Sequence, residues 1–449
     1  MRDFTSLDTS ISLVRRCIEN ENDSNYANIA DTYLPIGPNN RDNNIEWTHV
    51  YQKLFEKLYG LSLNGYCKET LRVEVLDSIR SVRDTRELVD VLDELYFTSN
   101  ELDNITPLAY LVSNQEKLSA RTKTMINIIS GLINGQVGGD FIIKGNNPLE
   151  NILISNIRRL CTEHSLKDDT ICYLPFLQKV FTQDLNTLAA NPEYLLSEVE
   201  RFIHLYVFIY LSQLTIQVCI PNNVYQPPSA KPLYFILETE TASKERHECN
   251  QYGYDYIFSN KKGIAYYLFP VLGYFNRIDK KPAWQYDLDE SEEHLGKINE
   301  FNKLLALLFG EDYQNEYSLQ RALNKGVSFH KQIFEETLSR SKKNSRKGRN
   351  STVVNTFEDV FSSGFITNRK AAGKYFVLNS NIIMLLTNLI IKGKDTDKIL
   401  IDDLIEGFKN RGVWLDLKSK RALLKFYESV GNIEKLSDSG DAVYVKSTI

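Results

Sequence analysis

Cysteine is scarce in this sequence of 449 residues, and its six copies are spread over the first 250 positions. Disulfide-stabilised scaffolds are short and dense in cysteine, so reduced thiols are expected here. The first residues, MRDFTSLDTSISLVRR, lack the basic-then-apolar order of a secretory signal. We therefore expect a cytoplasmic protein that does not depend on disulfide bonds.

Sequence motifs that would identify an enzyme are also missing. The chain contains no GxxxxGK[ST] phosphate-binding loop, no GxSxG, no HExxH and no DxDxDG. Cys161-x-x-His164 and His247-x-Cys249 lack the further ligands of a zinc site, which favours ordinary thiols at both places. The sequence thus predicts no cofactor, no metal and no catalytic residue.

Charge is absent from one long stretch. Between Phe202 and Ile220 there is no Asp, Glu, Lys or Arg, and 14 of the 19 residues are apolar. A membrane-spanning helix needs about 20 such residues. Because His204, Ser212 and Gln213 interrupt the run, it is better explained as a fully buried core helix that leads into a strand. No membrane association is expected.

What the sequence does contain is typical of a globular protein, with 42% hydrophobic and 25% charged residues. A chain this long exceeds one ordinary core. Apolar residues at helical spacing predict helices at Trp47–Leu58, Lys68–Thr85, Arg86–Tyr96, Thr122–Leu132, Asn147–Cys161, Tyr173–Thr182, Tyr194–Leu211, Ile298–Leu308 and Ser318–Leu338. A short apolar run at Leu233–Leu237 predicts a buried strand.

These patterns predict a mainly α fold, with a minor α+β part, divided into several domains. A helical domain is expected over residues 1–220 and a mixed α/β region over 221–338. Residues 339–352, SRSKKNSRKGRNST, contain six cations and no acidic or apolar residue, which predicts a mobile basic linker. A winged-helix-like domain is expected over residues 353–449.

The C-terminal domain has the clearest predicted architecture. Its elements are a strand at Lys374–Leu378, helices at Asn381–Ile391, Lys398–Asn410 and from Asp416 to Gly431, and strands at Ile433–Leu436 and Ala442–Lys446. Ser380 and Asp416 suit the N-caps of the first and third helices, and Gly393 suits the end of the first. The third helix has an inner apolar stripe of Leu423, Phe426, Tyr427 and Val430. Three helices followed by a β-hairpin is the order of a winged helix.

The outer face of the third predicted helix is basic. Residues 321–449 carry 23 Lys and Arg against 14 Asp and Glu, although the whole chain has a net charge of −5. In DNA-binding domains of this kind such a helix enters the major groove. The candidate DNA contacts are Lys418, Lys420, Arg421 and Lys425 on the helix, and Arg340, Lys342, Lys343, Arg346, Lys347 and Arg349 in the linker. For the helix, contact with a protein partner or a purely structural role is the alternative. For the linker, the alternative is a solvated, flexible hinge.

One acidic segment is the best catalytic candidate. In LYFILETETASKER, Glu238 and Glu240 follow the predicted strand, and Lys244 lies beyond them. Metal-dependent nucleases hold Mg²⁺ with acids at strand ends, but they take acids from two strands at a spacing that is missing here. An ion-pair network or a partner-facing surface formed by Glu238, Lys244 and Arg246 is favoured. A nuclease centred on Glu238 and Glu240 is the alternative.

Two blocks of the sequence resemble a known family. LYFILETETASKERHECNQYGYDYI (Leu233–Ile257) and FYESVGNIEKLSDSGDAVYVK (Phe426–Lys446) are similar to the G subunit of DNA phosphorothioation-dependent restriction systems, called DptG or DndG. The chain length and the order of the two blocks are also similar to that family. The resemblance implies a bacterial defence complex with two larger ATPase-type partners, the F and H subunits. This complex attacks DNA that lacks the sulfur-for-oxygen backbone modification, and the family supplies no catalytic residue for this subunit.

The sequence therefore predicts a non-catalytic adaptor. Its helical body would dock on the ATPase partners, its basic linker would act as a tether, and its winged helix would be presented to DNA or to a partner. Besides the nuclease, a stand-alone DNA-binding regulator is the alternative.

Overall fold

The computed structural model describes residues 5–20, 34–36, 44–63, 65–82, 86–99, 102–112, 118–134, 145, 147–163, 170–219, 226–241, 245–259, 263–285, 292–340, 345–435 and 442–449. Helices dominate these residues, so the fold is mainly α, as predicted. The strands are few and short.

The helices, in chain order, are α1 (Thr5–Glu19), α2 (Trp47–Tyr59), α3 (Lys68–Val82), α4 (Arg86–Leu92), α5 (Leu102–Ile105), α6 (Ala120–Gly131), α7 (Pro148–Leu160), α8 (Pro175–Ala189), α9 (Pro192–Cys219), α10 (His247–Tyr252), α11 (Tyr254–Phe258), α12 (Ala265–Ile278), α13 (Glu292–Phe309), α14 (Leu319–Arg340), α15 (Ser345–Thr356), α16 (Ser380–Lys392), α17 (Ile401–Asn410) and α18 (Leu417–Ser429). The strands are β1 (Leu61–Ser62), β2 (Thr162–Glu163), β3 (Tyr234–Leu237), β4 (Ile366–Asn368), β5 (Lys374–Leu378), β6 (Lys398–Leu400), β7 (Trp414–Leu415), β8 (Ile433–Lys435) and β9 (Val443–Lys446). Most predicted elements therefore exist, with ends displaced by a few residues.

The chain forms two compact units, each assembled from three separate stretches. Unit 1 consists of Met1–Asn43, Phe208–Val377 and Gly412–Ser419, and unit 2 consists of Asn44–Val207, Leu378–Arg411 and Lys420–Ile449. This division differs from the serial domains expected at 1–220, 221–338 and 353–449. The reason is long-range pairing, because β3 lies parallel to β7 although about 180 residues separate them in sequence.

Unit 1 is organised around a four-stranded sheet in the order β4-β5-β3-β7. β4 and β5 are antiparallel, and β3 and β7 are parallel, with Phe235 opposite Leu415. Aromatic rings fill one side of the sheet. The ring of Phe208 stacks on Phe365 at 4.7 Å and meets Phe376 edge-on at 5.3 Å. Large aromatic side chains of this kind supply much of a core's buried apolar area.

One helix of unit 1, α1, is not among the helices predicted from the sequence. α1 buries Leu7, Ile11 and Val14 and packs against α12 and α13. The Ser10 hydroxyl donates a 2.8 Å hydrogen bond to the carbonyl oxygen of Arg277. The buried stripe is short, and the polar sequence after it concealed the helical period.

The uncharged stretch at 202–220 belongs to α9, a helix of 28 residues. It is long and apolar enough to cross a membrane, yet 94% of its most apolar window is buried within the protein. This burial is that of a core helix, and the prediction of a buried helix is confirmed. Whether a strand follows directly lies outside the described residues, since 220–225 are not among them.

The predicted basic linker is partly helical. α14 ends at Arg340, and residues 345–352 form the first turns of α15 instead of a mobile segment. The basic run is followed by Val353 and Phe357, which are buried, and Asn350 donates a 3.0 Å hydrogen bond to the carbonyl oxygen of Tyr266. These contacts give the helix an anchored face that composition alone did not reveal.

Unit 2 contains a buried ion pair between α8 and the end of α17. The Arg411 Nε atom donates to Asp184 Oδ2 at 2.7 Å, a second guanidinium nitrogen reaches Oδ1, and Tyr206 donates to the same carboxylate. Burial lowers the pKa of Arg411, but Asp184 raises it by more, so the guanidinium stays charged. The Asp184 side chain is 0% exposed. Both charges therefore depend on each other for solvation.

Removing one member of this pair should be strongly destabilising. Asp184→Asn leaves the Arg411 charge buried without its counter-ion, which typically costs about 3–5 kcal/mol. Urea unfolding followed by circular dichroism measures the change. Glu406→Gln is the control, because its pair with Lys409 is exposed, and the expected loss there is below about 0.5 kcal/mol. Equal stability losses in the two variants would contradict the structural role of the pair.

Candidate nucleic-acid interface

The C-terminal elements follow the order α16, β6, α17, α18, β8, β9. β8, β9 and β6 form one antiparallel sheet in which β9 is central, and Val445 lies opposite both Ile399 and Ile433. The first of these three strands thus pairs with the last. Residues 436–441, which join β8 to β9, lie outside the described residues.

Three local predictions for this region need correction. Residues 398–400 form β6 and not the first turn of a helix, because only Ile399 of the three is buried and all three pair with β9. The N-cap of α16 is Asn379 and not Ser380, since the Asn379 side chain accepts the N–H of Ile382 at 2.9 Å. β5 belongs to the sheet of unit 1 instead of preceding a separate domain.

α18, the predicted DNA-facing helix, begins and ends as expected. Asp416 is its N-cap, and Asp416 Oδ1 accepts the N–H of Ser419 at 2.8 Å. The helix ends at Ser429, and Gly431 follows with a φ of +76°, a conformation that glycine adopts without strain. The sequence rules for caps therefore located this helix correctly.

The first turn of α18 is held by a buried arginine. Arg246 Nε donates to Asp416 Oδ2 at 2.7 Å, and a second nitrogen reaches Oδ1. The same guanidinium donates to Glu240 Oε2 at 2.8 Å and to the Ser419 hydroxyl at 2.6 Å. The Arg246 side chain is only 1% exposed. A two-pronged pair of this kind fixes orientation as well as distance.

The electrostatic balance at Asp416 favours its charged form. Burial raises the pKa of Asp416, but hydrogen bonds from the Arg246 guanidinium and the Ser419 N–H lower it by more, so the pKa lies below its ordinary value. Burial of Cys249, whose sulfur lies 3.4 Å from Asp416 Oδ2, raises the thiol pKa to about 12. At neutral pH the Asp416 carboxylate therefore lies beside a neutral Cys249 thiol.

The inner face of α18 packs as predicted only in part. Leu423 and Tyr427 are fully buried, and the Tyr427 hydroxyl lies 2.5 Å from the hydroxyl of Thr387 on α16. Phe426 is half-buried, and Val430 is exposed because it lies beyond the last helical residue. Two side chains, not four, thus anchor the helix.

The outer face of α18 carries the candidate DNA contacts. Lys418, Arg421 and Lys425 follow the i, i+3, i+7 spacing of one helix face, and all three are exposed. Lys420 is half-buried. Among the residues that the structure describes, none of these four cations forms an ion pair. The face is therefore free to meet an anion.

The linker cations are a different case. Lys342 and Lys343 lie outside the described residues. The backbone of Arg340, Arg346, Lys347 and Arg349 is helical, but their side chains are not among those described. Their predicted contact with nucleic acid stays a prediction.

The two acids of the nuclease alternative do not face one position. Glu240 uses Oε2 for Arg246 and Oε1 for the N–H of Leu237, at 2.8 and 2.7 Å. Glu238 is exposed, and its carbonyl oxygen accepts a 2.6 Å hydrogen bond from Arg369. Lys244 lies outside the described residues. Within the described part of the chain, no group of three metal-ligating side chains is found.

Comparison with known proteins adds no relative. No protein-family model matches this chain, and no curated protein matches it. Membership of the G-subunit family, and the partners that it implies, therefore stay predictions.

Protonation of Asp416 should weaken the attachment of α18. Because the folded-state pKa is depressed, the pair's contribution is complete above the ordinary value of about 3.9 and is lost as the pH falls through the lower folded value. Asp416→Asn should cost about 3 kcal/mol at pH 7 and less near pH 3, where the wild type has lost part of the interaction. Urea unfolding at both pH values measures this. Asp359→Asn, an exposed acid, is the control, and a pH-independent loss in Asp416→Asn would contradict the account.

Proposed function

We propose that this protein is a non-catalytic, DNA-binding adaptor subunit of a phosphorothioation-dependent restriction complex. It acts in the cytoplasm with ATPase-type partners, the F and H subunits, on DNA that lacks the backbone modification. The observation that carries the proposal is the cationic face of α18, formed by Lys418, Arg421 and Lys425. These side chains are exposed and form no ion pair in the described part of the chain.

The C-terminal elements have the order of a winged helix. This order favours DNA binding over the alternative of a basic surface that has no ligand. α18 takes the place of the recognition helix, because it is the third helix and precedes the strand pair β8 and β9. Its base is fixed by Asp416 and Arg246, so the cations are presented on a rigid support. Cations on a rigid helix lose less conformational entropy on binding than cations on a flexible segment.

The adaptor role draws on the resemblance of two sequence blocks to the G subunit and on the charge distribution. The C-terminal third is basic while the chain as a whole is acidic. A basic end suits a polyanion, and an acidic body suits protein partners. In this proposal the ATPase partners supply the chemical energy, and this subunit positions and grips the duplex.

The nuclease alternative receives less support from the geometry. A two-carboxylate metal site needs both acids to face one ion, whereas both Glu240 oxygens accept hydrogen bonds from the protein. The stand-alone regulator differs from the adaptor in its partners. An adaptor co-purifies with its ATPases in a stable complex, and a regulator does not.

Charge reversal on α18 tests DNA binding directly. Lys418→Glu combined with Arg421→Glu should remove about two phosphate contacts and lower the slope of log affinity against log salt by about two. Retention of a labelled duplex by the purified complex is the measurement, and size-exclusion chromatography checks that the complex still assembles. Lys303→Glu with Lys325→Glu makes the same charge change on exposed positions of α13 and α14. If both double variants retain the duplex equally, α18 is not the DNA contact.

A further inference from the structure

One face of α4, and of the π-helical turn Asp93–Thr98 that continues it, is apolar and exposed. Val91 is 45% exposed, Leu95 is 49% exposed, and Leu88 beside them is half-buried. These three residues follow the i, i+3, i+7 spacing of one helix face, and we call them the α4 seam. Single apolar side chains on a surface are ordinary. An aligned row is instead the pattern by which one helix packs on another.

The α4 seam is separate from the core side of the same helix. The core side is formed by Val89, Leu92 and Tyr96, each of which is at most 8% exposed. Arg72 of α3 donates to Asp93 at 2.6 Å and holds the helix against its neighbour. The helix therefore has two apolar rows, and the described part of the chain fully buries only the core row.

A row of acids runs beside the α4 seam. Glu87, Asp90 and Glu94 have the same spacing and each precedes one residue of the seam, and we call them the acid row. All three are exposed, and none of them forms an ion pair with the side chains that the structure describes. Carboxylates three and four residues apart on a helix repel one another, and a cation relieves that repulsion. The face therefore suits a helix that has apolar residues on one side and Lys or Arg beside them.

The backbone is irregular at the end of the seam. The N–H of Ser99 donates to the carbonyl oxygen of Glu94, five residues earlier, at 3.2 Å. Helical turns of this kind are rare and are frequent at functional sites. Here the turn leaves Leu95 exposed while Tyr96, the next residue, is buried. The irregular winding is thus a further observation that agrees with a binding surface.

We propose that the α4 seam binds a helix of a partner protein. Apolar residues of that helix pack on the seam, and its Lys or Arg residues pair with the acid row. The inference goes beyond the proposed function, because it names a docking surface and the chemistry of its partner and does not depend on DNA binding by α18.

The test is the binding of a synthetic helical peptide to the full chain. The peptide repeats the heptad LKALKAK, which places leucine on one face and lysine beside it. Fluorescence anisotropy of the labelled peptide measures its affinity at about 0.05 M and about 0.5 M salt. Binding should be several-fold tighter at the lower salt, because salt screens the attraction between exposed charges. A peptide of the same composition, with its leucines spread around the helix, should bind at least about tenfold more weakly.

Removal of the exposed apolar side chains tests the seam itself. Val91→Ser with Leu95→Ser should weaken peptide binding at least about tenfold, because these side chains supply the central apolar contact. The matched control is Ile171→Ser with Val430→Ser, which removes two equally exposed apolar side chains elsewhere and should bind like the wild type.

Charge reversal in the acid row separates loss of docking from poor folding. Asp90→Lys with Glu94→Lys should bind the LKALKAK peptide at least about tenfold more weakly. It should also gain binding to an acidic peptide of LEALEAE heptads, and a gain of binding cannot come from poor folding. Glu193→Lys with Asp403→Lys makes the same charge change at other exposed acids and should change neither affinity.

Three results overturn the inference. The first is equal affinity of the wild type for the LKALKAK peptide and for its rearranged form. The second is equal peptide binding by the seam or acid-row variants and their controls. The third is a dimer, seen by light scattering, that Val91→Ser with Leu95→Ser converts to a monomer, since the seam would then bind a second copy of this chain. None of these results bears on the role of α18.

Discussion

The buried guanidinium of Arg246 is the interaction on which the C-terminal helix depends. It bridges Glu240, which follows β3, and Asp416, which caps α18, and these residues lie far apart in the sequence. An isolated buried cation would be very unfavourable, so two carboxylates and a hydroxyl are needed around it. The same carboxylate that neutralises Arg246 also satisfies the first turn of α18. The Arg246 guanidinium therefore links the first turn of α18 to the segment that follows β3.

This arrangement explains why the acids after β3 are not available for chemistry. In the sequence, Glu238 and Glu240 lie two positions apart, and a metal site formed by them was the alternative interpretation. In the fold the turn separates them: Glu240 supports the arginine, and Glu238 faces solvent. The favoured interpretation was an ion-pair network of Glu238, Lys244 and Arg246. Arg246 does form ion pairs, but its partners are Glu240 and Asp416 and not Glu238. Lys244 lies outside the described residues. Arg246 thus fixes the N-cap of the same helix that carries the exposed cations.

Local physics made much of the fold predictable. Helical periodicity located α2, α7 and α13, strand composition located β3, and cap chemistry located both ends of α18. β6 was taken for part of a helix because Lys398–Leu400 becomes a strand only through pairing with β9, a tertiary contact. α1 was missed because its buried stripe is short. At β6, local propensity fails as a guide because long-range pairing overrides it.

The candidate site was predictable to a similar extent. The cations of α18 were found because a helix face has a fixed spacing, 3.6 residues per turn. The partnership of Arg246 with Asp416 could not be found, since no local pattern links residues 170 positions apart.

The proposed function requires the outer face of α18 to lie against DNA. The most direct measurement is site-specific photo-crosslinking, with the photo-reactive residue benzoylphenylalanine in place of Lys425 and, as a control, in place of Lys303. If α18 lies against DNA, the Lys425 position forms a covalent product with a labelled duplex. An excess of unlabelled DNA removes this product. Equal crosslinking from the two positions, or none from Lys425 while the protein retains the duplex, would contradict it.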